Sequence, residues 1–450
     1  MMKEKPQVII RGRKPQDTEP RNFKFEEDLV RTTPSAPELS AWRHEAWKRF
    51  ADLAIPTTRE EAWRRTDLKD LQAGQLQFPV AGQYLELATV PAELLQPLTA
   101  EAHGGQVVLQ AGGSSVEVNE TLREQGVIFT DLLTAEKEYP NLLEKVIGRV
   151  VKPAEGKFSA MAAAFAQNGV FLYVPRNVTV AQPLHSLLWG AGEGLAFTSH
   201  LLVYLEAGAS ATYVHEAASP EEKEQSLHAG IVEIFVGEGA SLRFVELQSW
   251  GEHVWNFSHE RARVDRGGHI DWIFGAVGSH LTKNFSDLEL AGEGSTGRMS
   301  GFYFTDHNQH LDHDTQQNHL APHTTSDLLF KGALLDQSRS VWQGMIYVAP
   351  GAQKTDGYQA NRNLVLSRTA RADSIPGLEI LADDVRCTHG ATVGQIDEDQ
   401  VFYLMARGIP QTMAEQLVVE GFFDPIMQRI PFDGVRERFQ AAIQHKMADL

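Results

Sequence analysis

The sequence predicts a mainly β protein, a solenoid of short parallel strands with α-helical segments before and after it. Three observations carry that expectation. Residues 169–395 consist of short β-branched and aromatic runs punctuated by Gly, Asn and Asp. Several segments there share one pattern of strand, tight glycine turn and strand: VYLEAGASATYVHE, IFVGEGASLRFVEL, ARVDRGGHIDWIFG, LELAGEGSTGRMSG and IYVAPGAQKTDGYQ. With turns placed at Gly208, Gly239, Gly268, Gly294 and Gly351, successive intervals are 31, 29, 26 and 57 residues, the last about twice the others, with Pro322 near its middle. A period of this size marks units that must stack, because one unit cannot bury a face alone. A β-sandwich would close the same turns as local hairpins. The regular spacing favours the solenoid.

The remaining elements follow in chain order. Residues 1–34 are polar, with Pro6, Pro15, Pro20 and Pro34, and are expected to form a flexible arm. Residues 35–156 are expected to form a mainly helical module. Ala46, Trp47, Phe50, Ala51 and Ala54 make one apolar helix face that ends before Pro56. Thr57 or Thr58 then caps a second helix, with Glu60 and Glu61 in its first turn and Trp63 facing inward. VVLQ and GVIF are short strands, and a helical stretch runs from Asp131 to Val151. Residues 157–395 form the β core, and residues 396–450 a helical module. There Asp397 caps a helix that Gly408 ends, Pro410 opens another, and Val435 to Met447 forms the last.

Composition narrows the function. The 450 residues carry a formal charge of −18, which argues against nucleic acid and acidic membrane surfaces. A single cysteine excludes an internal disulfide framework and fits a reducing compartment. The first residues show no apolar signal core, and no apolar run reaches spanning length. A cytoplasmic protein is expected.

The candidate chemistry is sparse. Cys387 and His389 sit two apart on a short strand, so both point to one face, a thiol and an imidazole that suit a soft or borderline metal. Cys387 could equally serve as a nucleophile beside His389, or as a core residue. Residues 307–323 hold His307, His310, His313, His319 and His323 among Asp306, Asp312 and Asp314. They form a candidate metal site, with His310 and His313 as ligands, or a polar coil, and the spacing matches no zinc signature. GEGSTGRM from Gly292 lacks the Lys and Ser/Thr of a phosphate loop. No G-x-S-x-G elbow is present.

Longer motifs carry a resemblance. DDVRCTHGATVGQID from Asp383 and FYLMARGI from Phe402 resemble the C-terminal signature of the SufB/SufD family. HLDHDT from His310, SDLLFKG from Ser326, LEILADDV from Leu378, KFSAMAAAF from Lys157 and EEAWRRTDL from Glu60 are similar to the same family. SufB members carry further cysteines, including one thought to hold the nascent cluster. This chain has only Cys387, and in this it resembles the other branch.

The resemblance implies a right-handed parallel β-helix flanked by helical modules, in a non-catalytic scaffold subunit for iron–sulfur cluster assembly. It implies pairing with a SufB-like subunit through the β-helix ends, and the same edge would serve a homodimer of the isolated chain. It also implies docking of a SufC-like ABC ATPase on the helices bracketing Arg407, Gly408 and Ile409. That surface would extend from Phe402 through Pro410 and Leu417 to Phe422. His389, with Cys387 beside it, would contribute to a transient cluster shared with the partner. The residues agree: clusters usually take four thiolates, with His as a substitute, so one cysteine must borrow ligands. A β-helix polysaccharide enzyme and a His-rich metal-dependent enzyme are the alternatives.

Overall fold

The computed structural model describes residues 22–79, 89–96, 103–166 and 168–448. Of the arm expected for residues 1–34, residues 1–21 lie outside them.

Before the solenoid come α1 (Pro37–Asp52), β1 (Gly105–Gln110), β2 (Gly113–Val118), α2 (Glu120–Glu124), β3 (Ile128–Asp131), α3 (Leu132–Glu138), α4 (Pro140–Leu143) and α5 (Lys157–Phe165). The solenoid has about eight coils, each contributing one strand to each of two sheets. Its first four coils are β4 (Asn168–Val174) with β5 (Leu184–Trp189), β6 (Ala196–Leu205) with β7 (Ser210–Ala218), β8 (Ser226–Val236) with β9 (Ser241–Ser249), and β10 (Val254–Val264) with β11 (His269–Ala276). The next four are β12 (Leu281–Leu290) with β13 (Thr296–Thr305), β14 (His310–His319) with β15 (Thr325–Leu334), β16 (Arg339–Val348) with β17 (Asp356–Val365), and β18 (Arg371–Ile380) with β19 (Arg386–Gln395). Helices α6 (Glu398–Met405), α7 (Gln411–Met427) and α8 (Asp433–Met447) close the chain.

From β4 onward the odd-numbered strands form the first sheet and the even-numbered strands the second, all parallel within the coils. Residues of one parity point into the lumen, where Tyr213, Phe244, Trp272, Leu311, Phe330 and Trp342 form a continuous core. The other parity faces outward and is partly covered by the helices. Burial on both faces is why these strands read as near-continuous apolar runs.

The repeat turns form one stacked corner. Asn177, Gly208, Gly239, Gly267, Gly294, His323 and Lys354 all adopt left-handed backbone, with φ between 58° and 71°. Each donates its N–H, at 2.6–3.2 Å, to a carbonyl at the next corner, as Gly208 does to Glu238 and Gly294 to Pro322. Two expectations are thereby sharpened. The left-handed residue of the GG pair is Gly267, not Gly268. The double interval hides a turn at His323, which lacks the glycine that marks most of the others.

The two ends differ. At the first end β3 runs antiparallel on β4, while β1 and β2 extend the sheet beyond β5. The segment expected to be mainly helical therefore supplies three strands to the solenoid's sheets, which need their end covered. At the other end β18 and β19 are the last strands of their sheets.

The helical segments pack outside. Alanines let α5 lie close on the second sheet, and the helix is buried all round. Its Lys157 ammonium donates to the Phe50 and Leu53 carbonyls at the end of α1, 2.6 and 2.8 Å away, and burial pulls it down to about 8. Of the apolar face expected on α1, Ala46 and Phe50 are buried and Ala51 and Ala54 are exposed. The capped second helix is only a 3-10 turn, Glu61–Trp63, with Trp63 buried.

Residues 22–34 correct the arm expectation. Phe25 and Val30 are buried, and the Thr33 hydroxyl donates to Glu136 at 2.7 Å. Glu136 has no exposed surface. Burial alone would raise its carboxyl, but Arg43 and Arg31 hold it below the ordinary range. Glu136→Ala leaves the buried Arg43 uncompensated, so thermal or urea unfolding should show a loss of about 3–5 kcal/mol.

Candidate functional site at the open end

Strand β19 positions the two sequence-selected residues. Its register sets Cys387 beside Gly357 and His389 beside Gln359, and β19 has no partner on its other side. Both side chains belong to the lumen-facing row, which agrees with the two-residue spacing. A Cβ on Gly357 would come within 3.3 Å of Cys387 Sγ and also of His319 Nε2, so glycine makes the room the thiol occupies. Cys387 packs against Ile346, Val348 and Ala352. Burial pushes its thiol up, more than the Gly357 backbone hydrogen bond lowers it. It therefore stays protonated at neutral pH and is no ready nucleophile. His389 is exposed at the mouth of the last coil.

Around this mouth the last coil is left uncovered. Leu378 and Ile380 on β18, Leu381 after it and Val393 on β19 are exposed. At a capped end the lumen-facing positions among them, Leu378, Ile380 and Val393, would be buried. Two open strand edges and an apolar rim form a surface prepared for pairing with other strands. Sequence reasoning missed the β18 side, although its lumen parity (Leu378, Ile380) was readable once β18 was known to be terminal.

The His-rich stretch does not converge. His310 and His313 are three apart on β14 and point to opposite faces. His310 bonds the Thr66 hydroxyl at 2.8 Å and is pulled down to about 3, first by burial and then by Arg339 and Lys283. His313 lies in the lumen among Phe274, Tyr303 and Phe330, with both ring nitrogens unpartnered among the described residues, and burial pulls it down to about 3. His319 bonds Thr324 and Ser326. His307 pairs with Glu252 at a corner, beside Asp306, which Lys446 of α8 engages. The five histidines thus occupy separate environments, and His310 and His313 share no coordination sphere.

The helices after β19 match their expected caps. Asp397 accepts from the Asp399 and Gln400 amides at 3.0 and 3.3 Å, and Gly408 ends that turn with φ of 86°. Val419, Phe423 and Phe439 lay α7 and α8 on the outer face of the first sheet. Phe402 is 71 % exposed, and Tyr403, Met405, Met413 and Leu417 are exposed with it. The Arg407 guanidinium stacks over Tyr403 at 4.2 Å. Phe422 packs against the same sheet cluster, and its carbonyl binds Lys331.

The two-sheet solenoid thus has one capped and one open end, with a thiol and an imidazole at the open mouth, and α6 and α7 expose an apolar patch. The comparisons give the family. Residues 188–422 match the SUF system FeS cluster assembly SufBD core domain, and residues 21–185 match the SufBD protein N-terminal region. Relatives in Staphylococcus saprophyticus and Staphylococcus epidermidis, each described as an iron–sulfur cluster assembly SufBD family protein, are 31 % identical over 319 residues, covering 70 % of this chain and 68 % of theirs. The chain belongs to the SufBD family of iron–sulfur cluster assembly proteins. No helix among the described residues is long and apolar enough to cross a membrane.

Proposed function

We propose that this chain is a SufD-type, non-catalytic scaffold subunit that completes its cluster site only with a partner. The observation that carries the reading is the open end, where β18 and β19 present free edges and an apolar rim around His389. A SufB-like chain adds its own last coil to those edges. The cluster is cargo, not a resident group, because one thiol and one imidazole fall short of four ligands. Within that shared site His389 is the exposed ligand. Cys387, packed and protonated, lies behind it in a secondary role.

A SufC-like ATPase docks on the exposed face of α6 and α7, where aromatic and Met side chains form the kind of anchor surface that dominates association energy. Phe402→Asp combined with Leu417→Asp should leave the fold intact, because both side chains are exposed. ATPase affinity should fall by about 2 kcal/mol or more, some 30-fold. Unchanged affinity by calorimetry would move the dock elsewhere. The whole reading is tested by co-purification with SufB-like and SufC-like chains, followed by anaerobic iron and sulfide loading. Cluster formation on the isolated chain, at the yield seen with partners, would contradict it.

A further inference from the structure

The outer face of the second sheet is only partly covered. Beyond the aromatic cluster of the N-terminal segment, a cleft of about 770 Å³ runs across β10, β12, β14, β16 and β18. Its walls are apolar, with Trp63, Phe158, Phe285, Met345, Ile375 and Pro376. Its lining carries more carboxylates than cations: Glu60, Glu61, Glu155, Asp287 and Asp314 against Arg261 and Lys157, with Glu61 paired to Arg64 at 2.7 Å. Arg261 is already paired with Glu155 and Asp287, and the ammonium of Lys157 is turned into the end of α1. Lys283 lies beneath, bound to Asp312 and Asp314. Five strands at ~4.8 Å spacing make the cleft about 19 Å long. A pocket of this size and lining takes a ligand with apolar groups and positive charge.

The chain itself carries that chemistry. Although its net charge is −18, residues 1–21 hold Lys3, Lys5, Arg11, Arg13, Lys14 and Arg21 against only Glu4, Asp17 and Glu19. Within them Val8, Ile9 and Ile10 directly precede Arg11, Gly12, Arg13 and Lys14, with no acid among the seven. The described chain begins beside the cleft: the Phe23 ring lies 6.3 Å from Phe158, one of the cleft walls. From there the eight residues back to Pro15 reach at most about 27 Å, enough to bring Val8 to Lys14 over any part of the cleft.

We propose that the acidic, aromatic-walled cleft on the second sheet is the docking site of this chain's own basic segment Val8–Lys14. The isoleucines meet Phe285 and Met345, and Arg11, Arg13 and Lys14 meet the carboxylates. Because the cleft ends on β18, the docked segment lies against the outer side of the open end.

The test is disulfide trapping in the full chain, on a Cys387→Ser background. Ile10→Cys is paired with Met345→Cys in the cleft, and as a control with the exposed Ser114→Cys at the opposite end of the solenoid. Trapping in the cleft should be intramolecular and at least about tenfold faster than in the control, as a tethered encounter requires. It should slow about tenfold in ~1 M salt and in a Glu60→Lys, Glu61→Lys chain. Adding Arg11→Glu, Arg13→Glu and Lys14→Glu to that chain should restore it. Equal rates in cleft and control would overturn the proposal. So would trapping that occurs only between two chains, or that ignores both salt and the charge reversals.

Discussion

A His389→Ala chain is expected to fold, pair with its SufB-like partner and form no cluster on the reconstituted complex. The fold should be indifferent, because His389 is exposed on the last strand and its neighbour Gln359 is held by the Gly344 and Gly377 carbonyls. A surface change of that kind stays within about 0.5 kcal/mol. Cluster formation should collapse, because the open mouth offers few ligands and His389 is the exposed one. His389→Cys supplies a thiolate in the same place and should recover a measurable part of the yield. Cys387→Ser should retain most of it. The readouts are the cluster's visible absorption and bound iron and sulfide. Normal yield in His389→Ala would remove this residue from the site.

The second large effect is on stability and comes from inside the solenoid. Glu246 on β9 and Glu260 on β10 share a hydrogen bond in the lumen, and burial, then the neighbouring Glu260, pushes the Glu246 carboxyl well up. Glu260 is raised too, first by burial, but Asn284 and Ser286 donate to its oxygens at 2.6 and 3.0 Å, so it is the partner that ionises. Around them, Trp272 bonds Glu246, and burial holds His215 near 3 and His228 near 4, both neutral. Glu246 is therefore the proton donor of the pair.

The sign follows from linkage. A carboxyl raised in the folded state is no burden below its unfolded pKa of about 4.3. Above that, stability drains away at up to about 1.4 kcal/mol per pH unit until the folded pKa is passed. Glu246→Gln keeps a donor toward Glu260 and removes the titration. It should match the wild type near pH 4 and be increasingly more stable toward neutral pH. Urea midpoints at several pH values measure this. Parallel pH profiles for the two chains would show that the pair does not share its proton.

How much of this was legible depended on what each residue had to satisfy. The solenoid was legible because a stacked left-handed corner favours glycine, and Gly208, Gly239 and Gly294 report it directly, whereas Gly351 lies three residues before the corner that Lys354 makes. His323 concealed one corner, since a hydrogen-bonded neighbour below held a non-glycine residue in the same conformation. Strand parity was enough to place Cys387 and His389 together. Applied to β14, the same parity would have separated His310 from His313, but the strand's bounds were not known. Glu246 was illegible: SLRFVELQS looks like an ordinary half-exposed strand, and only the opposite sheet brings Glu260 to it. The N-terminal segment misled for a related reason. Phe25 and Val30 form no periodic pattern of their own and are buried only by distant elements such as α5.

The proposed function rests on the open end being a strand-pairing surface. Leu378→Lys, Ile380→Lys and Val393→Lys together place three charges on its exposed rim without touching the covered core. Sedimentation velocity of this variant with a SufB-like chain measures the pairing. A separate, normally folded subunit is expected, with association weakened at least about 100-fold as buried unpaired charges require. A complex formed at wild-type affinity would contradict it.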